Sequence, residues 1–307
     1  MSLRTWCALG ALLPVTALAG PLEIASATAS STYSEQPGYD ADKVFDGKQG
    51  SSWVEGESGS GLGAWIELDL GGEKTVEQVR IWGGDWSSWE YWNRANRPKE
   101  VELKFSDGSA QVVTLKDEKV AQTFAIEGGG KKTSTVRLRL KSTYNGTTWF
   151  DTGISEVQLL GASKDGRIVG AATASSVAKE DGDGNYQPAN AVDGLVDSMW
   201  CEGDAGDGTG QWLAVDFGEP RTISKVSLVD GIGSSMALWF KANQATSLQL
   251  AYSDGSTHVL AIDRPSFRLT TYDLPQVITS SVKLTVTGVK PGKEFNDLCL
   301  SEVSFAE

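Results

Sequence analysis

Residues 83–97 read Gly83-Gly84-Asp85-Trp86-Ser87-Ser88-Trp89-Glu90-Tyr91-Trp92-Asn93-Arg94-Ala95-Asn96-Arg97, placing four aromatic rings among carboxylate, amide and guanidinium groups. Flat rings stack on the apolar face of a sugar, and planar polar groups grip its hydroxyls. A loop so aromatic is costly if merely exposed, so it either packs down or binds something. Trp149, Phe150 and Asp151 form a second aromatic and acidic group. Glu55 with Asp85 or Asp151 could supply the paired carboxylates of a glycoside hydrolase. Other catalytic schemes are poorly provided for. The chain has one histidine, His258, which is expected on an exposed strand. Ser/His/Asp and Cys/His catalysis both need a histidine beside the nucleophile, and zinc sites usually take several.

These residues lie in a chain that is duplicated. Tyr39 to Gly47, followed by Trp53-Val54-Glu55-Gly56, returns as Tyr186 to Gly194 followed by Trp200-Cys201-Glu202-Gly203, an offset of 147 residues (193 − 46). Trp65 and Trp212, Asp69 and Asp216, and the two Ser-Asp-Gly-Ser turns at Ser106 and Ser253 keep the same offset. So long a period suits a whole domain in tandem rather than a solenoid. The duplication also sorts the tryptophans. Trp53 and Trp92 are repeated by Trp200 and Trp239, as core residues would be, whereas Trp86 and Trp89 face Gly233 and Met236. Trp86 and Trp89 are therefore the expected stacking platform, with Asn96 and Arg97 as polar contacts and Asp85, Trp149 and Asp151 beside them. The second copy has Met236, Leu238, Trp239, Asn243 and Gln244 there, without the arginine.

Residues 1–19 read as an export signal: Arg4, an apolar stretch from Trp6 to Ala17, then Ala17-Leu18-Ala19. Pro14 interrupts a stretch already shorter than the ~20 residues of a membrane span. The expected protein is secreted, periplasmic or held at the cell surface, without membrane insertion. A net charge of −13 argues against nucleic acid or anionic lipid as partner. Cys201 and Cys299 follow the signal, and an even count in an exported chain favours a disulfide. In the first copy Val54 and Gly153 replace both together, as contacting positions would be replaced.

Strands must carry the loops. Ile66, Leu68 and Leu70 alternate with Glu67 and Asp69, and Leu213, Val215 and Phe217 alternate with Ala214 and Asp216. Val101 to Phe105 and Leu248 to Tyr252 each run into an Asp-Gly turn. No helical period lasts beyond a turn or two. The expected fold class is all-β, with domains at residues 22–162 and 168–307 joined by the polar link 163–167.

The Asp46-Gly47 turn, Trp53, the strand from Trp65 to Leu70 and Ile154-Ser155-Glu156-Val157 resemble a discoidin (coagulation factor 5/8 type C) domain. The fuller string, with Asn96-Arg97-Pro98-Lys99 and Phe105-Ser106-Asp107-Gly108, is similar to a bacterial branch associated with translocation of NAD-glycohydrolase toxins. The resemblance implies two tandem jelly-roll β-sandwiches, galactose-binding-domain-like, that bind surfaces through loops at one end and are not enzymes. It implies glycans or cell-surface polysaccharide as ligand, with a protein-interaction role or a secreted partner protein as the alternative. It also implies one structural ion per domain, calcium or sodium, with calcium the expected one, and no organic cofactor. Asp46, Ser51 and Glu156 would hold the ion in the first copy, with carbonyls of Lys43 and Ser155. Asp193, Ser198 and Glu302 would hold it in the second, with carbonyls of Asn190 and Ser301. Lys48 and Leu195 stand where a further oxygen side chain is common. The same acidic residues could instead cap their turns. The ion site would also bring Cys201 and Cys299 within bridging reach.

Overall fold

The computed structural model describes residues 20–34, 38–161, 167–168, 170–179 and 185–307. The export signal at 1–19 and nearly all of the expected link lie outside them.

The first domain is two antiparallel sheets packed face to face. One takes the strands in the order Ser26–Ala29, Trp65–Val76, Lys131–Tyr144, Arg97–Phe105 and Ala110–Thr114. The other orders Gly20–Pro21, Gly153–Gly161, Gln78–Gly83 and Gln122–Ala125, with Trp53–Val54 also paired to Gly153–Gly161. Period-2 alternation puts Ile66, Leu68, Leu103 and Leu138 on the inner face of the first sheet against Val79, Ile81, Val157 and Leu159 of the second. Glu67 and Asp69 point outward, as the alternation requires.

The second domain repeats this plan with longer strands. Trp212–Val229 and Thr270–Lys290 each run through what are two strands in the first domain, and a register shift between Asp216 and Arg221 turns the chain from one sheet toward the other. Gly218 sits in that bend at φ +75°. First and last strands meet in both domains, through Gly20 with Gly161 and Ile168 with Phe305. The fold is thus the expected pair of all-β sandwiches. Cys201 and Cys299 face one another across paired short strands and are disulfide-bonded, with Cα atoms 4.1 Å apart.

Two six-residue helices interrupt the β structure, α1 at Trp89–Arg94 and α2 at Met236–Lys241. Ser88 and Ser235 cap them by accepting from Tyr91 N and Leu238 N. Each buries one tryptophan against a glycine. Trp92 Nε1 donates to Gly83 O and Trp239 Nε1 to Asp230 O. Gly84 and Gly231 have positive φ, and a Cβ there would fall 2.8 and 2.9 Å from those rings, so no larger residue fits.

The domains meet along an asymmetric seam. Leu195 is 3% exposed and packs on Trp82, Trp86 and Trp92 of the first domain. Around it, Asp193 O accepts from Arg80 Nη1 (3.3 Å) and Gln158 Nε2 (2.6 Å), and Gln49 N donates to Asp197 (2.9 Å). Asn185 Nδ2 donates to Lys119 O at 2.5 Å. Val157 and Leu159 enter the core, and Gln158 turns to the other domain.

Candidate functional site

The expected platform residues separate into three groups. Asn96 and Arg97 are framework, a correction to their expected role as open sugar contacts. Arg97 is buried, donates from Nη1 to Trp92 O (3.0 Å) and Ala95 O (2.9 Å), and pairs with Asp117 at 2.6 Å. These are the carbonyls that the end of α1 leaves unsatisfied. Gln244 does the same work in the second domain, donating from Nε2 to Trp239 O and Ala242 O. Asn96 donates to Phe150 O and accepts from Gly146 N, and Asn243 does so with Asn296 O and Gly292 N. The repeat contained this signal: position 96 is unchanged and position 97 keeps a planar donor.

Trp86 also departs from expectation. It is buried, with its indole N–H on Gly83 O and its ring against Leu195. Trp89 is half-buried, edge-on to Trp92 at 5.5 Å, with Lys119 Nζ 4.9 Å from its ring. The pair belongs to the seam. Their lack of a counterpart reflects a covering surface that only one domain needs.

Asp85, Trp149 and Asp151 lie elsewhere, at one end of the first sandwich. The loop carrying Trp149 is stitched to the end of α1, with Trp149 N donating to Arg94 O at 2.8 Å. The Trp149 ring packs against Tyr91 at 5.2 Å, and the Arg94 guanidinium lies 4.2 Å from its centroid. Glu90 fixes Arg94 through a 2.7 Å ion pair. Tyr91 is 42% exposed and Phe150 73%, so aromatic faces are presented to solvent. Asp85 is buried beside them and accepts from Ser87 N. Tyr39, edge-on to Tyr33, has its hydroxyl pushed up by burial first and then by Asp85 and Tyr91. Tyr91, Arg94 and Tyr39 are not among the expected contacts, and Phe150 is expected only as a member of the second aromatic group with Trp149 and Asp151. The signal for Tyr91 is its place beside Trp92, on the side of a short helix that the buried ring leaves outward. Glu55 is buried and turned inward, accepting from Thr152 N and Glu57 N, so it caps its loop. His258 is half-buried on strand Thr257–Ala261.

A sequence model of the family described as NAD glycohydrolase translocation F5/8 type C domain matches residues 19–160 and again residues 164–306. The chain belongs to this family. No curated protein matches it. Among solved structures it is similar to a fucolectin from striped bass serum, at 16% identity and a TM-score of 0.33, over 92% of this chain and 96% of the lectin. It is similar also to the CBM32-1 and CBM32-2 domains of Clostridium perfringens ZmpB, at 11% identity and 0.37, over 92% of each chain. A third is the family 32 CBM of C. perfringens NanJ in complex with galactose, at 17% and 0.35, over 44% of this chain and 92% of that module.

The acidic turns of the two F5/8 type C domains are built alike and surrounded differently. Asp46 Oδ1 accepts from Ser51 Oγ (2.8 Å) and Lys48 N (3.1 Å). Asp193 Oδ1 accepts from Ser198 Oγ and Leu195 N, both at 2.9 Å. In the first domain Glu156 is buried with one oxygen, Oε2, lacking any hydrogen-bond partner. Burial, then Asp46 and Asp197, pushes it up to about 10. Asp46, Ser51 and Glu156 offer oxygen donors of the kind calcium takes, but Lys43 Nζ lies 3.9 Å from Asp46 Oδ2, so a cation already shares this turn. The second domain fits calcium less well. Gln49 Nε2 holds Asp193 Oδ2, while Arg80 and Gln158 hold its carbonyl. Glu302 accepts from Gly194 N and leaves Oε1 unpartnered. Burial and Asp193 raise it, and Arg167 and Arg80 pull it back. There the first domain supplies fixed positive charge where an ion would sit. No cluster of three or more acidic, histidine or cysteine side chains with metal-holding geometry occurs among the described residues.

Proposed function

We propose that this chain is an exported, non-catalytic carbohydrate-binding protein that attaches to glycans or cell-surface polysaccharide through loops at the ends of its sandwiches. The observation that carries the reading is the Tyr91–Trp149–Arg94 stack, half-buried at Trp149 and open to solvent at Tyr91, with the exposed Phe150 next to Trp149 in the chain. Rings held in place before binding give a sugar face a surface without ordering cost, and nearby polar groups select its hydroxyls. The disulfide supports an oxidising compartment. In the first domain Asp46, Ser51 and Glu156 would hold a structural calcium ion, which would favour the ionised form of Glu156 and stiffen the turn.

A glycan array with competition by free sugar tests the reading. Trp149→Ala should weaken binding at least roughly two- to twelve-fold, the share expected of ring stacking alone, with the fold retained. Retained binding in that variant, or no sugar-competable binding by the wild-type chain, rejects it. The family description, with its reference to NAD glycohydrolase translocation, favours one second reading, an accessory that docks on a secreted protein partner. Binding to a protein surface that free sugar fails to displace would support that instead.

A further inference from the structure

A cleft of about 800 Å³ opens at the seam between the domains. Its second-domain wall includes Tyr186, Phe295 and Asp297. These stand where Tyr39, Trp149 and Asp151 stand in the first domain, by the repeat offsets of 147 (186 − 39) and 146 (295 − 149 and 297 − 151). The cleft is therefore the second domain's version of the end-loop site. It differs in one respect: the first domain closes it. Trp86, Ser87 and Lys119 line the opposite wall, with the Lys119 ammonium 5.6 Å from the Trp86 ring. Among the described residues the first domain's own site has no such wall, and Tyr91 and Phe150 there face solvent.

We propose that this cleft is a second saccharide site, composite between the two domains, that takes an uncharged oligosaccharide segment longer than one ring. The proposal rests on the reading that the chain binds glycans. The volume lies in the upper part of the roughly 300–1,000 Å³ typical of small-molecule sites. Its rings and its hydroxyl, amide and carboxylate groups offer the two surfaces a pyranose presents, apolar face and polar rim. Charge is balanced, with Lys119 and Lys179 against Asp197 and Asp297 among the lining residues, so no net attraction for an anionic sugar is built in. The seam fixes the walls relative to each other. Asn185 Nδ2 on Lys119 O, Gln49 on Asp197 and Leu195 on Trp86 hold them without any ligand. A preformed cleft of this kind gives affinity by lowering the ordering cost of binding.

The test is titration calorimetry of the full chain with neutral β-linked glucose, galactose and N-acetylglucosamine oligomers of one to four rings. The expected result is two sites per chain for oligomers and one for the monosaccharide. The double variant Tyr91→Ala, Trp149→Ala should remove the open site and leave one that still prefers oligomers. Adding Ser87→Arg, an exposed first-domain change that fills the cleft, should weaken that remaining site at least ten-fold, and Asp297→Ala, exposed on the other wall, should do likewise. Unchanged thermal unfolding would show that each variant is folded. If the double variant loses all binding, the composite site is refuted while the glycan reading stands. The same follows if neither Ser87→Arg nor Asp297→Ala affects the remaining site. If the wild-type chain binds no oligomer in any series, both are refuted.

Discussion

Asp230 offers a measurement in which sign and size both follow from its surroundings. It is buried beside α2, with Oδ1 accepting from Ser266 N at 2.7 Å and Oδ2 without a partner. Burial pushes it up to about 7 from a reference of 3.8, despite the Ser266 bond and the charge of Lys290 pulling it down. The folded protein therefore holds the proton where the unfolded chain has released it. Its contribution to stability is fully present below about pH 4, falls as pH rises, and is gone above about pH 7. The shift is about 3 pH units, and each unit is worth about 1.4 kcal/mol, so the span is on the order of 4 kcal/mol. Asp230→Asn keeps the oxygen that accepts from Ser266 and replaces the orphaned oxygen with a neutral group. Chemical unfolding followed from pH 4 to 8 should show the second domain of the variant gaining on wild type as pH rises, by a few kcal/mol at pH 8 and little at pH 4. A constant difference between the two proteins across that range would refute the reasoning, because it would mean the carboxyl titrates alike in both states.

Two further outcomes are expected. Calcium should raise the first-domain unfolding temperature in wild type, Glu156→Gln should abolish the rise, and Glu302→Gln should leave it intact; equal loss in both variants would show that the second domain also binds the ion. Val54→Cys with Gly153→Cys should form a bridge in the first domain, since these positions pair as Cys201 and Cys299 do and a Cβ on Gly153 meets nothing nearer than 3.4 Å. In the chain-entropy model a loop of that length stabilises by up to about 4–5 kcal/mol, read as an upward shift of the first-domain midpoint that reductant reverses.

Much of the fold is legible in the sequence because its cause is local. Alternation in Trp65–Val76 sets one face inward, and the repeat offset identifies two units and singles out Cys201 with Cys299. The role of Arg97 is not legible because its partners arise from α1, whose six residues are too few to show a helical period. Only the ended helix reveals the carbonyls that Arg97 and Gln244 satisfy. The burial of Trp86 is hidden by distance along the chain. The residue that covers it, Leu195, lies in the other domain, and its apolar character reads equally as a missing ion ligand. Tyr91 and Arg94 stayed hidden because their exposure depends on the direction in which Trp92 is buried.

The cysteines and the seam together set an order of completion. Residues 20–161 contain no cysteine, so the first sandwich can reach its fold before any thiol is oxidised. Its outer face is another matter, because Trp82, Trp86 and Arg80 are covered by Leu195 and Asp193, which are made later. Until the second domain folds, the first is a finished domain with a bare tryptophan patch. Any factor that grips the patch keeps the two halves apart, and letting go allows the second half to close over it.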